Sequence, residues 1–113
     1  MEDEALVAED LRGTVIMLGY AVVGVTDSGE EAVQLARELR PDLVLLDFTL
    51  HGPMNGVEAG RLIQQSVASA VVFVSANAEA LKQPHVVQKP FSRATLCSAI
   101  TAALATGQDR SSL

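Results

Sequence analysis

Two stretches leave this chain little choice of fold. Leu43-Val44-Leu45-Leu46 is a string of four large aliphatics ending on Asp47, and Ala70-Val71-Val72-Phe73-Val74 is a second apolar string ending at Ser75. Neither alternates apolar with polar residues, so neither has a face to offer water. Strands of this kind are buried on both sides, as the inner strands of a parallel sheet are. A charged residue at the carboxyl end of such a strand sits at the edge where open α/β sheets place their ligands. Taken alone, Asp47 reads as a turn former; the remainder of the chain changes that reading.

Around these runs the pattern is helical. Leu6/Val7, Leu11, Val15 and Leu18 recur at three- and four-residue spacing, with Glu9, Asp10 and Arg12 on the other side. That spacing predicts a helix from the very start of the chain, stopping at Gly19. Tyr20 to Val25 is a short β-rich run. Asp27-Ser28-Gly29-Glu30-Glu31 opens a second helix, with Ser28 and Glu31 spaced as a capping box and Pro41 beyond its end. Val57 to Ile63 predicts a third helix, which Gly60 weakens. Residues 78–82 have room for little more than one helical turn before Pro84. Val86-Val87 is a brief strand running into Lys89-Pro90-Phe91, and Ser92 caps a last helix whose inner face is Leu96, Cys97, Ile100 and Leu104. Strand and helix alternate throughout, which means α/β with a parallel sheet and right-handed crossovers. Residues 1–106 form one domain in this reading, and 107–113 a polar C-terminal tail.

Composition narrows the function classes. About half of the 113 residues are apolar but only four are aromatic, so the core is aliphatic. A formal charge of −6, with lysines and arginines scattered, gives no basic stripe for nucleic acid. No run approaches the roughly 18 apolar residues of a membrane span, and no signal-peptide pattern precedes the first helix. The single Cys97 permits no internal disulfide. The expectation is a soluble cytoplasmic domain whose partners are neither nucleic acid nor membrane.

The strand ends then converge. Asp47, Ser75 and Lys89 each follow a predicted strand, and parallel strands end on one edge, so an acid, a hydroxyl and an ammonium meet in one crevice. A carboxylate can attack phosphorus to give an acyl phosphate. Phosphoryl transfer depends on positioning and on neutralising the phosphoryl oxygens, for which Lys89 and Ser75 are suited. Glu2, Asp3 and Asp47 together would form an oxygen-rich site for Mg²⁺. His51 and His85 have no partners at metal-ligand spacing and read as exposed loop residues. Cys97 reads as packing, Met54 and Gly56 as loop-shaping residues, and Asn77 as a neighbour of the site.

As a set, Glu2-Asp3, the strands ending at Asp47 and Ser75, and Lys89-Pro90-Phe91 resemble the receiver domain of two-component response regulators. The resemblance covers residue 2 to about 105. It implies a flavodoxin-like sheet of order 2-1-3-4-5 and an Asp47 that accepts a phosphoryl group from a phosphohistidine. It implies Mg²⁺ held by Glu2, Asp3, Asp47 and the backbone carbonyl of Thr49. Ser75 and Lys89 would bind the phosphoryl oxygens, and Lys89-Pro90 would be a cis peptide. The implied partners are a sensor histidine kinase or a histidine phosphotransfer protein, with a homodimer as a further candidate; output is by protein contact, not enzymatic turnover.

Three departures from that pattern matter. The family begins with an apolar strand leading into the acidic pair, and here only Met1 precedes Glu2. Losing three or four buried aliphatics removes about 5–10 kcal/mol, against a total stability of about 5–15 kcal/mol. The expectation is therefore a first strand that is absent, lies upstream of Met1, or is supplied by another chain or by rearranged strands. Lys89 follows Ser75 by 14 positions, about seven short for the family or roughly two helical turns, which predicts a missing or vestigial fourth helix. This resembles small stand-alone receivers of bacterial stress and sensory-kinase signalling. Finally, the position three before Lys89, usually aromatic in the family, is Val86, so any switch takes another route.

Two other readings compete. A haloacid-dehalogenase-like phosphohydrolase also uses a strand-end Asp with a hydroxyl and a Lys, but Asp47-Phe48-Thr49 lacks the second acid and the chain lacks room for a cap domain. A pseudo-receiver would keep the fold as an interaction module with an incomplete metal site.

Overall fold

A computed structural model describes residues 4–8, 11–26, 28–47, 56–75 and 85–111 of the chain. Five parallel strands form one sheet: β1 (Glu4–Ala8), β2 (Ala21–Thr26), β3 (Leu43–Asp47), β4 (Ala70–Ser75) and β5 (Val86–Gln88), in the order β2-β1-β3-β4-β5. Among the described residues four helices flank it: α1 (Arg12–Met17), α2 (Gly29–Leu39), α3 (Gly56–Ser66) and α4 (Arg93–Ser111). This is the parallel α/β sheet that the apolar runs predict, in the flavodoxin-like order that the resemblance implies.

Side chains leave the sheet alternately, so each inner strand feeds two cores. Ala5, Val7, Leu43, Leu45, Val72, Val74 and Val87 pack with Leu11 and Val15 of the α1 segment and with Leu96, Ile100 and Ala103 of α4. Leu6, Val44, Leu46, Val71 and Phe73 pack with Ala32, Val33 and Ala36 of α2 and with Ala59 and Ile63 of α3. Ser69 Oγ donates to the Pro41 carbonyl at 2.5 Å, and the Ala70 N–H donates to the Asp42 carbonyl at 3.0 Å. These two bonds tie the starts of β3 and β4 together, and so set the level at which both strands end.

The first strand is present, contrary to the sequence expectation. β1 lies between β2 and β3, with Ala5, Leu6 and Val7 paired to Leu43, Val44 and Leu45. The helical spacing that hides it is half real. Leu11 and Val15 do line the inner side of the α1 segment, but Leu6 and Val7 belong to the preceding strand and face opposite cores. A short two-sided strand that abuts a helix without an intervening Gly or Pro merges with it into one apparent helical stripe. The 5–10 kcal/mol deficit therefore disappears.

Other boundaries differ in smaller ways. The backbone of α4 is helical to Ser111, beyond the proposed start of a polar tail at residue 107. Its inner stripe is Leu96, Ile100 and Ala103, whereas Cys97 is exposed, because a stripe at i, i+4, i+7 leaves i+1 outside. Residues 76–84, on which the vestigial fourth helix was expected, lie outside the described residues. The ladder nevertheless explains why the connection is short. β5 pairs only with the last three residues of β4, starting at Phe73↔Val86. The end of β4 and the start of β5 thus differ in level by only two residue steps, about 7 Å, rather than by the length of a strand. His85 is half-buried rather than exposed, and its carbonyl accepts the Phe73 N–H at 2.9 Å.

β2 carries one extra residue. Ala5 pairs with Val22 but Leu6 pairs with Gly24, which leaves Val23 as a bulge. The shift lets Val22 and Val25, three apart, both face the α1 side. Gly24 meets the opposite core, where an added Cβ would lie 2.9 Å from Leu6 Cδ1 and 3.3 Å from Leu39 Cδ1. At the start of α2, Ser28 Oγ accepts the Glu31 N–H at 3.3 Å, as the capping spacing predicts. Among the described residues no helix is long and apolar enough to cross a membrane.

Ala5 lies off the apolar stripe of the expected helix but is 0% exposed in β1. Ala5→Asp buries an unpaired charge there and is expected to destabilise by about 4 kcal/mol or more, read as the loss of a cooperative urea transition. Ser28→Ala loses the cap and an exposed hydrogen bond to Glu30 Oε1, an expected cost of about 1 kcal/mol by the same measurement.

Candidate functional site

The carboxyl ends of the strands meet as the sequence predicts. Asp47 closes β3 opposite Val74, and Ser75 closes β4 one residue further on, opposite Gln88. With neighbouring strands about 4.8 Å apart and a rise of about 3.3 Å per residue, the Asp47 and Ser75 backbones lie roughly 6 Å from each other. Lys89 follows β5 directly, and its N–H donates to the Ser75 carbonyl at 2.8 Å. That bond closes the β4–β5 ladder at its last pair, Ser75↔Gln88, and fixes the level of Lys89 relative to Ser75.

Ser75 is 4% exposed, a hydroxyl held among aliphatic strand residues at the sheet edge. Burial of a polar group costs little only where its hydrogen bonds are satisfied, and no buried side-chain nitrogen or oxygen among the described residues lacks a partner. Lys89 is half-buried. The Lys89-Pro90 bond is cis, as the resemblance implies. Its carbonyl accepts the Gln88 Nε2 amide at 3.1 Å. Phe91 then packs on the α1/α4 core, and Ser92 Oγ accepts the Thr95 N–H at 3.1 Å to start α4. The segment that carries Lys89 is thus anchored on both sides, by a strand ladder and by a capped helix.

Glu2, Asp3 and Thr49 lie outside the described residues, as do Asn77, His51 and Met54, and Asp47 is described in its backbone only. Chain direction alone sets Glu2 and Asp3 apart from the others. They precede β1, whereas Asp47, Ser75 and Lys89 all stand at or beyond the carboxyl ends of strands parallel to it. The acidic pair that follows β1 is Glu9-Asp10, also outside the described residues. A sequence signal for it exists: Ala5-Leu6-Val7-Ala8 followed by two acids has the same form as Leu43 to Leu46 followed by Asp47.

Comparison with known proteins agrees with this architecture. The family model of the response regulator receiver domain matches residues 1–101. The phyllosphere-induced regulator PhyR of Methylorubrum extorquens is 34% identical over 111 residues, covering 92% of this chain and 42% of that protein. The chain thus spans less than half of that relative. Among solved structures, the signal receiver domain of a modulated diguanylate cyclase from Desulfovibrio desulfuricans superposes with a TM-score of 0.83 at 30% identity, covering 97% of this chain and 99% of that one. The anti-anti-sigma factor PhyR of Bartonella quintana gives 0.81 at 26% identity, covering 99% of this chain and 51% of its own. On the match to the family model and the sheet order that accompanies it, the chain belongs to the response regulator receiver domain family.

Proposed function

We propose that the chain is a phosphoryl-accepting receiver in a two-component phosphorelay, with Asp47 as the acceptor. The observation that carries the reading is the shared edge: Asp47 at the end of β3, the buried Ser75 at the end of β4, and Lys89 hydrogen-bonded through its backbone to Ser75. A carboxylate oxygen of Asp47 attacks phosphorus in line with the phosphohistidine nitrogen. The P–N bond breaks, the imidazole leaves with its electron pair, and an acyl phosphate forms. The Lys89 ammonium pairs with one phosphoryl oxygen and the Ser75 hydroxyl donates to another, so charge developing on the transferred group meets a cation and a donor already in position.

Receiver domains generally bind Mg²⁺, and here the chemistry of the donor set fits it. One more step in the β1–β3 register would bring the residue after Ala8 level with Asp47, which supports Glu9 and Asp10, following β1 in the sequence, over Glu2 and Asp3, preceding it, as the acids that serve the acceptor. Glu9, Asp10, Asp47 and the Thr49 backbone carbonyl would hold the ion. When bound, Mg²⁺ neutralises phosphoryl oxygens and offsets the mutual repulsion of the carboxylates.

Output is by protein contact with a kinase, a phosphotransfer protein or a downstream partner in the cytoplasm. Likeness to an anti-anti-sigma factor supports a protein rather than a nucleic acid as the next partner, as does the formal charge of −6.

Incubation with acetyl phosphate and Mg²⁺ is expected to add one phosphoryl group by intact mass, and Asp47→Asn to abolish it. Turnover of many equivalents would instead indicate a hydrolase, and absence of any adduct a pseudo-receiver. Mg²⁺ titration by calorimetry separates the two acidic pairs. Glu9→Gln with Asp10→Asn is expected to weaken binding at least about tenfold, the scale on which metal sites respond even to supporting residues. Glu2→Gln with Asp3→Asn is expected to leave it unchanged.

A further inference from the structure

The ring that the family resemblance puts on β5 is missing at Val86, but an aromatic stands one strand over. Leu46, Phe73 and Val86 are register partners across β3, β4 and β5 and belong to the core on the α3 side of the sheet. The row lies just beneath the strand ends that carry Asp47, Ser75 and Lys89. Phe73 is its middle member and is 5% exposed. Ser75 follows two residues later on the same strand, hence on the same face of the sheet.

Above Phe73 lies helix backbone. A Cβ added to Gly60 of α3 would sit 2.6 Å from Phe73 Cζ, 3.0 Å from Cε1 and 3.4 Å from Leu46 Cδ1. Glycine inside a helix costs roughly 0.5–1 kcal/mol relative to alanine, and here its lack of a side chain is what lets the ring reach the helix. Ring against backbone is a stiff contact, because no rotatable side chain lies between them to absorb a shift. The opposite outlet is softer: Val86 is a small, half-buried aliphatic on a three-residue edge strand.

We propose that Phe73 and Gly60 couple the strand-end site to α3, so that phosphorylation is read out on the outer face of that helix, around the exposed Glu58, Arg61, Gln64 and Gln65. The inference deepens the phosphoacceptor reading of Asp47 and rests on it. When Ser75 is drawn toward a phosphoryl group, the end of β4 moves with it. A close-packed interior transmits such a shift as a displacement of the whole element it touches rather than dissipating it. Phe73 acts as a positioning residue and touches no phosphoryl oxygen itself.

Hydrogen-exchange mass spectrometry of the full chain with Mg²⁺, with and without beryllofluoride as phosphoryl mimic, tests this, alongside acetyl phosphate labelling read by intact mass. In the wild type the mimic is expected to change exchange across residues 56–66 several-fold. Phe73→Leu is expected to abolish that change while acetyl phosphate still labels the protein. Phe73→Met, whose unbranched side chain adapts to irregular gaps, serves if the leucine variant does not fold. Labelling of the wild type with no change in α3, or a full α3 response in the folded Phe73 variant, overturns the coupling. No labelling of the wild type overturns the phosphoacceptor reading and the coupling with it.

Discussion

Leu6, Val44, Leu46, Val71 and Phe73 press on α2 and α3 from one face of the sheet, while Ala5, Val7, Leu43, Leu45, Val72 and Val74 press on the α1 segment and α4 from the other. Burial of β1, β3 and β4 on both sides is the constraint behind everything else in the molecule. It excludes polar side chains from the interior of those strands, since neither face offers water. Polar chemistry is thereby pushed to the strand ends, and because the strands are parallel the carboxyl ends share one edge. Asp47, Ser75 and Lys89 meet there as a consequence of packing before any chemistry is considered.

How far this was legible depended on what separated one element from the next. β3 and β4 stood out because each is an unalternated apolar run isolated by polar or turn-forming residues, and Ser28 announced α2 by its spacing to Glu31. β1 did not stand out. Its five residues run into the α1 segment with no glycine or proline between them, and two aliphatics of a two-sided strand look like a helical pair. The expectation of acids at Glu2-Asp3 rested on where that strand was thought to lie, whereas the acids that follow β1 in the sequence are Glu9-Asp10. The placement of Ser75 and Lys89 at the strand ends did not depend on β1 and was unaffected. The contact between Gly60 and Phe73 had no sequence signal beyond a glycine where a helix disfavours one; the reason lay on another element, 13 positions along the chain.

Membership of the receiver family accounts for the sheet order and the common edge, while the departures show what the fold tolerates. A β5 of three residues needs only a short return from β4, so the β4–β5 connection can shrink without disturbing the strands that carry the site. An aliphatic at Val86 is accommodated because the neighbouring strand supplies the bulk at Phe73. The row Leu46-Phe73-Val86 thus keeps an aromatic in its centre rather than at its margin, enclosed rather than free to swing.

The extra residue in β2 bears on a different hazard. Ala21 to Thr26 is an edge strand without a single charge or proline, rich in valine, the kind of segment through which sheets of separate molecules join and aggregate. Elsewhere such edges are blunted with lysines. Here the bulge at Val23 breaks the repeat of the unpaired backbone groups partway along, so an approaching regular strand can match one half of the edge or the other, but not both. A chain that spends its charges on its helices protects its sheet margin by geometry instead.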